Sequence, residues 1–313
     1  MRIKRRALAG LVPVLALLAC SPGSSDGDAP RGAATAGSPR LRSDLVVTTS
    51  WLADRLGEDG LVVVHVGDDR AEYEAGHIPG ARFLPVSALL VERDGIPNEL
   101  PPVETLDSLF EAVGVSDDVR VILYGEPLYA ARAFVALDHL GHGGRAALLD
   151  GGLSAWEAEG WTISHEPPEE PAGGTLTPQP RRDLIVDADW IASRLESPGV
   201  AILDARPPAQ YWGYEAGPGV PRPGHIPGAA NLFWEETLKP GGPPVLEDTE
   251  TLQALFQRAG VAPDDTVVTY CRTGLQASFL YFVARYLGYE TRLYDGSFID
   301  WSRRSELPVI VEE

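Results

Sequence analysis

The chain has 313 residues, 44% of them hydrophobic, and a formal charge of −19. That length allows two domains, each with a core of its own. So acidic a surface repels phosphate backbones and anionic membranes, which argues against nucleic-acid binding and demands locally placed cations wherever an anionic substrate is held.

The N-terminus reads MRIKRRALAGLVPVLALLACSPGSS. Arg2, Lys4, Arg5 and Arg6 precede an apolar run from Ala7 to Ala19 that is too short for a comfortable transmembrane helix. Residues 1–19 are therefore expected to be a signal peptide, and their removal leaves 22 basic against 45 acidic residues, or −23. The stretch Leu17-Leu18-Ala19-Cys20 resembles the lipobox of bacterial lipoproteins. That implies lipidation of Cys20, export, and attachment through the N-terminal lipid only, on the periplasmic or other extracytoplasmic face of the cell envelope. An ordinary signal peptide with an incidental Cys20 is the alternative. Residues 20–42, rich in Ser, Gly, Pro, Ala and Asp, lack the apolar side chains to fold and read as a flexible tether.

Two similar pieces follow, 43–165 and 184–313, divided by a Pro-, Gly- and Glu-rich break at 166–183. WLADRL at 51 matches WIASRL at 190, and GHIPGA at 76 recurs at 224. TLDSLFEAVGV at 105 matches TLQALFQRAGV at 251, and DGGLSAW at 150 matches DGSFIDW at 295. The register changes once, through about nine extra residues in GYEAGPGVPRP before the second GHIPGA, which reads as a loop insertion. In the second piece VAILDA, AANLF, TVVTYC and TRLYDG have the β-branched, continuously apolar character of buried strands. Helical periodicity runs over Trp190–Leu195, Leu252–Ala259 and Ala277–Leu287. Strands of that kind alternating with amphipathic helices predict an α/β fold, made twice, each copy a parallel sheet flanked by helices.

The chain has two cysteines, Cys20 and Cys271. If Cys20 is lipidated, Cys271 is the sole thiol and no intramolecular disulfide can trap it. Cys271 follows the strand ending at Tyr270, at the C-terminal edge of the sheet where open α/β folds bind ligands. The segment Cys271–Gln276, with Gly274 near its middle, is expected to be a six-residue loop leading into a helix near Ala277. Such a loop can turn successive N–H groups toward the sulfur while the helix N-terminus adds positive potential. Arg272 adds a full charge beside it, and all three favour thiolate. Without further context, a Cys that merely ends a buried strand is the commoner case, since free Cys is often buried.

CRTGLQAS resembles the active-site loop of the rhodaneses, a Cys-Arg followed by a Gly-containing turn into a helix. GHIPGA, the Asp204/Arg206 pair in LDARPPAQY and the DGG…AW ending of each half resemble that family's other signatures, over roughly residues 44–310. The resemblance implies a sulfurtransferase of two tandem rhodanese-like domains. The Cys271 thiolate would take a sulfur from a small anionic donor such as thiosulfate, and the persulfide would pass it to a thiophilic acceptor such as cyanide or a thiol. Arg272, Thr273, Gly274, Leu275 and Gln276 would bind the donor, with Asp204 and Arg206 behind them. No metal or organic cofactor is implied, and the six histidines show no ligand spacing.

Mercaptopyruvate sulfurtransferases carry a Cys-Gly-Ser-Gly type of loop, so Arg272 favours thiosulfate. Thiosulfate enzymes of the family often place cations where this chain has Thr273 and Gln210, which leaves Arg222 in the inserted loop as a candidate substitute. His77 and His225, repeated in both halves, read as structural. In the first half Gly125 stands at the Cys271 position and Glu126 at that of Arg272, in a loop one residue shorter, and the strand VVVHVG lacks the aspartate. That half is expected to be inactive and to complete the cleft. A cysteine phosphatase needs Arg six residues after the Cys; here that residue is Ala277. A non-catalytic sulfur carrier, or a redox or interaction module, is the remaining alternative.

Overall fold

Val-, Ile- and Leu-rich runs form the strands because the sheets are covered on both faces, so neither side of a central strand needs polar residues. The computed structural model describes residues 39–166, 173–195 and 197–311. The expected signal peptide, Cys20 and nearly all of the expected tether lie outside the described residues, as do residues 167–172 of the break. Both halves belong to one compact unit, Ala36–Glu313.

The first half contains strands β1 (Val46–Val47), β2 (Leu61–Gly67), β3 (Arg82–Pro85), β4 (Val91–Arg93), β5 (Ile96–Glu99), β6 (Arg120–Gly125) and β7 (Ala146–Leu149). Its helices are α1 (Thr49–Ala53), α2 (Arg70–Ala75), α3 (Val103–Ala112), α4 (Pro127–His139) and α5 (Gly152–Ala158). The second half contains β8 (Ile185–Val186), β9 (Val200–Asp204), β10 (Ala230–Asn231), β11 (Thr266–Tyr270) and β12 (Glu290–Tyr294). Its helices are α6 (Ala188–Ala192), α7 (Pro208–Tyr211), α8 (Thr249–Arg258), α9 (Leu275–Leu287) and α10 (Ser297–Arg303). The sheet orders are β1-β7-β6-β2-β3 and β8-β12-β11-β9-β10, all parallel and topologically identical. The expected α/β fold, twice over, is the one observed. Helix starts follow their caps: Thr48, Asp187 and Asp248 each accept the N–H three residues on.

The helices α4 and α9, each following the third strand in its half's order, are buried along nearly their whole length. A helix apolar on all sides must be central, and these two pack against each other, with Phe134 and Phe282 edge to face at 4.9 Å. Each fully buried aromatic or Leu there contributes roughly 1.5–3 kcal/mol. One polar cluster crosses the seam, where Asp138 accepts from Tyr281 Oη at 2.7 Å, Arg285 Nε at 3.0 Å and Arg181 at 2.8 Å. Burial, with Asp138 alongside, holds the Tyr281 hydroxyl well above its usual titration range. The described part of the break lies along the first half: Gly174 N–H donates to Glu111 O, Leu176 N–H to the Glu111 carboxylate and Gln179 N–H to Leu140 O.

The halves also exchange short arms. The antiparallel pair β4–β5 reaches the second half, where Leu100 N–H donates to Asp295 Oδ2 at 2.6 Å. In return, the turn bridging Leu238 and Leu246 reaches the first half, where Leu246 N–H donates to Asp150 Oδ1 at 2.8 Å. Asp150 and Asp295 are the repeated aspartates of DGG and DGS, so the motif seats the partner half's arm.

Candidate active site

Strand β11 delivers Cys271 to the C-terminal edge of its sheet, and the side chain there is 1% exposed. Helix α9 begins at Leu275, two residues earlier than the sequence pattern predicted, so the loop is Cys271–Gly274 and Leu275 and Gln276 occupy the first helical turn. The reason is Gly274, whose φ of 93° turns the chain into the helix at once. A Cβ there would lie 2.8 Å from Asp295 Oδ1, so the turn requires glycine twice over, by conformation and by space. The Gly274 N–H donates to Cys271 Sγ at 3.1 Å. Where several converging donors were expected, one backbone N–H reaches the sulfur among the described hydrogen bonds.

The back of the loop is clamped by the start of α10. Phe298 N–H donates to Cys271 O at 2.9 Å and Ile299 N–H to Arg272 O at 3.1 Å. Cys271 N–H donates to Ser297 Oγ at 3.2 Å, and that hydroxyl donates to Tyr294 O at 2.9 Å. Ser297 has φ 55°, in the left-handed region that disfavours a side chain, so its hydroxyl is placed against a local backbone cost. Thr273, 5% exposed, accepts from Asn98 Nδ2 of the β4–β5 arm at 3.0 Å.

Arg272 is half-buried and donates to Pro218 O at 3.2 Å, lying with Gln210 against Gly217 of the inserted segment. The insertion therefore folds over the Arg272 side of the loop. Arg222 does not substitute for the missing cations: its guanidinium donates to the carbonyls of Ser302, Leu307, Trp301 and Arg304 at 2.6–3.1 Å, closing the C-terminus of α10. With four of its five N–H donors on carbonyl oxygens, this arginine caps a helix and is held away from the role of anion binder.

Asp204 and Arg206 form a fully buried pair beneath the loop, Nη2 to Oδ2 at 2.6 Å and Nε to Oδ1 at 2.9 Å. Nη2 also donates to Gly224 O, and the guanidinium lies 4.0 Å over the Phe298 ring. Burial opposes the charge on Arg206, but Asp204, with smaller contributions from Tyr270 and Cys271, holds it above the ordinary guanidinium value. Arg206 Nη1 is buried without a hydrogen-bond partner. His77 and His225 sit in equivalent places, each stacked on a tyrosine (Tyr73 at 4.0 Å, Tyr211 at 3.9 Å) with Nδ1 near that tyrosine's carbonyl.

At the corresponding place in the first half only Gly125 and Glu126 lead from Tyr124 into α4, where four residues lead from Tyr270 into α9, so the loop is two residues shorter, not one. Gly125 has φ 134°, and a Cβ on it would lie 2.1 Å from Val66 O. Glu126 caps α4, accepting from Leu128 and Tyr129 N–H at 2.8 and 3.2 Å. What remains is a cavity of about 30 Å³ lined by Tyr124, Pro127, Leu149, Leu246 and Phe282 among others. Register pairs His65 with Tyr124 as it pairs Asp204 with Tyr270, so His65 and Gly67 stand where the second half has Asp204 and Arg206.

Asn98, Arg132, Asp295 and Ser297 escaped the sequence reading. Arg132, the one cation inside the apolar helix PLYAARAFVALDH, and the twice-repeated Asp-Gly were the available signals. Among the described residues no group of three or more His, Cys, Asp or Glu could hold a metal ion, and no helix is long and apolar enough to cross a membrane.

Residues 48–159 and 187–304 each match the model of the rhodanese-like domain. A thiosulfate sulfurtransferase of Pseudomonas aeruginosa is 32% identical over 270 residues, spanning 85% of this chain and 97% of its own. A sulfur carrier protein of Thermus thermophilus is 31% identical over 281 residues, 85% of this chain and 96% of its own. The solved anaerobic ergothioneine biosynthesis enzyme of Chlorobium limicola superposes with a TM-score of 0.77 at 23% identity, over 88% of this chain and 72% of that one, a likeness of fold.

Proposed function

The chain belongs to the rhodanese family, and from that premise we propose that it is an enzyme carrying sulfur from thiosulfate to a thiophilic acceptor through a persulfide on Cys271. The observation that carries this reading is the contact between Gly274 N–H and Cys271 Sγ at the head of α9. A buried sulfur with a backbone donor and a helix N-terminus is placed to exist as an anion, first as thiolate and then as persulfide.

In the first step the thiolate attacks the outer sulfur of thiosulfate. A new S–S bond forms, the donor's S–S bond breaks, and sulfite leaves with the electron pair. In the second step cyanide or a thiolate attacks the outer sulfur of the persulfide, and Cys271 leaves as thiolate. Neither step needs an external oxidant or a proton. Arg272 meets the dianionic donor, while Asp204 fixes Arg206 beneath the loop. The name of the Pseudomonas aeruginosa relative supports thiosulfate as donor. That of the Thermus thermophilus relative supports a second reading, a carrier charged by a protein persulfide, which Thr273 and Gln210 also favour because they leave Arg272 as the one cation of the Cys271–Gln276 segment.

Steady-state formation of thiocyanate from thiosulfate and cyanide separates the two. Turnover that disappears in Cys271→Ser supports the enzyme. No turnover from a chain that is charged by protein persulfides makes it a carrier. We further propose that Cys20 anchors the mature chain to the cell envelope by a lipid, a reading supported by the Leu17–Cys20 stretch alone. Metabolic labelling with a fatty acid, absent in Cys20→Ser, tests it.

A further inference from the structure

Helix α4 belongs to the half without the nucleophile, yet Arg132 on its buried face reaches across into the second half. Its side chain is fully buried. Nη1 donates to Asp295 Oδ1 at 2.6 Å and Nη2 to Oδ2 at 3.2 Å, a two-pronged pairing with the aspartate behind the Cys271 loop. Nη1 also reaches Ser278 Oγ at 3.4 Å, and Nη2 donates to the carbonyl of Asn98. Each of these three partners touches the loop. Asp295 Oδ1 lies 2.8 Å from where a Cβ of Gly274 would be; Ser278 Oγ donates to Gly274 O at 2.9 Å; Asn98 Nδ2 donates to Thr273 Oγ1 at 3.0 Å. The backbone unit held on one side by Arg132's partners presents the N–H that meets the sulfur on the other.

We propose that Arg132 is a positioning residue for Cys271, lent by the first half to fix the Thr273–Gly274 turn so that the Gly274 N–H stays on the sulfur. This rests on Cys271 being the nucleophile. A planar guanidinium suits the task, because its fork can hold both carboxylate oxygens and still spare a donor for the Asn98 carbonyl, which an ammonium cannot do in one plane. The charges facing this point are Asp295 behind the loop, Glu99 on the β4–β5 arm, Arg206 beneath the loop and Arg272 beside it. Arg132 cancels Asp295, which would otherwise set a bare carboxylate against the loop that must hold an anionic sulfur. The first half thereby has a part in the chemistry although its own pocket holds no nucleophile.

The test compares the full chain with Arg132→Met/Asp295→Asn, which removes both charges together while leaving an oxygen for the Leu100 N–H, and with Arg132→Lys. Two readouts are taken: thiosulfate-to-cyanide turnover, and the pH profile of Cys271 alkylation by iodoacetamide, which needs no sulfur donor. The expected result is kcat lower by about tenfold, as for a misplaced reacting group, KM for thiosulfate nearly unchanged, and the alkylation profile moved to higher pH, with Arg132→Lys intermediate. A folded double variant with wild-type kcat and profile overturns the proposal. Should the double variant not fold, Asn98→Gly decides. Asn98 has φ 66°, which glycine adopts freely, so that change deletes only the tether to Thr273. A several-fold loss of kcat with a shifted profile supports the proposal, and wild-type behaviour overturns it. If the wild-type chain turns over no thiosulfate, the proposed function fails, and the alkylation profiles still judge the role of Arg132.

Discussion

The two halves share one sheet order, one pair of central helices and one exchange of arms, and they part where the strand in mid-sheet meets its helix. In the second half four residues, Cys271–Gly274, bridge β11 and α9. In the first, Gly125 at the Cys271 position and Glu126 are all that lead into α4, and Glu126 turns its carboxylate onto the helix N-terminus. The position of helix positive potential that faces Cys271 in one half is thus filled by a side-chain anion in the other. Beneath the loops the difference repeats: a buried Asp204–Arg206 pair on one side, an uncharged His65 and a glycine on the other. Two residues of loop and one Cβ separate a nucleophile's seat from a capped helix over an apolar cavity.

Moving the nucleophile breaks the comparison most severely. Cys271→Ser is expected to lower sulfur transfer by roughly 10³-fold or more, with the melting temperature nearly unchanged. Gly125→Cys in that background will not restore it, since the new Cβ meets Val66 O and no loop N–H faces it. Thiocyanate formation by both variants checks this.

Removing the buried cation comes next. Arg206→Leu strands Asp204 in a dry site and is expected to cost about 3–5 kcal/mol in urea unfolding. The first half responds instead to acid. Burial, with the nearby His77, lowers the pKa of His65 to about 4. The unfolded chain binds that proton at ordinary imidazole pH and the folded chain does not, so stability present at neutral pH falls between about pH 6.5 and 4. The full loss is at most about 3 kcal/mol, lessened by water that screens the ring. His65→Phe should flatten that part of the pH–stability curve.

The smallest change is Ser297→Gly. The first half already has glycine there, Gly152, with the same φ of 55°. Relief of about 1 kcal/mol of backbone strain offsets about 1 kcal/mol of lost hydrogen bonding. Stability should move little while turnover falls several-fold, because Cys271 N–H loses its partner.

The fold was legible in the sequence because the repeat exposes each element twice, and a parallel sheet needs continuous apolar runs that loops do not imitate. The short edge strands β1 and β8 were not, since two residues carry no period. The helix start at Leu275 was missed because Leu and Gln suit loop and first turn alike; the deciding quantity is Gly274's φ, at a place where a Cβ would crowd Asp295. Arg222 looked like a spare cation because its four carbonyl partners are backbone atoms some 80 residues away, which side-chain identity does not reveal. Asn98 and Arg132 were hidden for a related reason: they act on a loop in the other half, and only the reach of the β4–β5 arm and the docking of α4 on α9 bring them there.

The central claim is that one sulfur binds one residue in one half. Intact mass after exposure to thiosulfate alone, followed by peptide mapping, tests it directly. The expected result is a gain of about 32 Da, one sulfur atom, on the peptide containing Cys271, lost on adding cyanide and absent in Cys271→Ser. A stable gain on any other peptide, or turnover of thiosulfate with Cys271 never carrying sulfur, would contradict it.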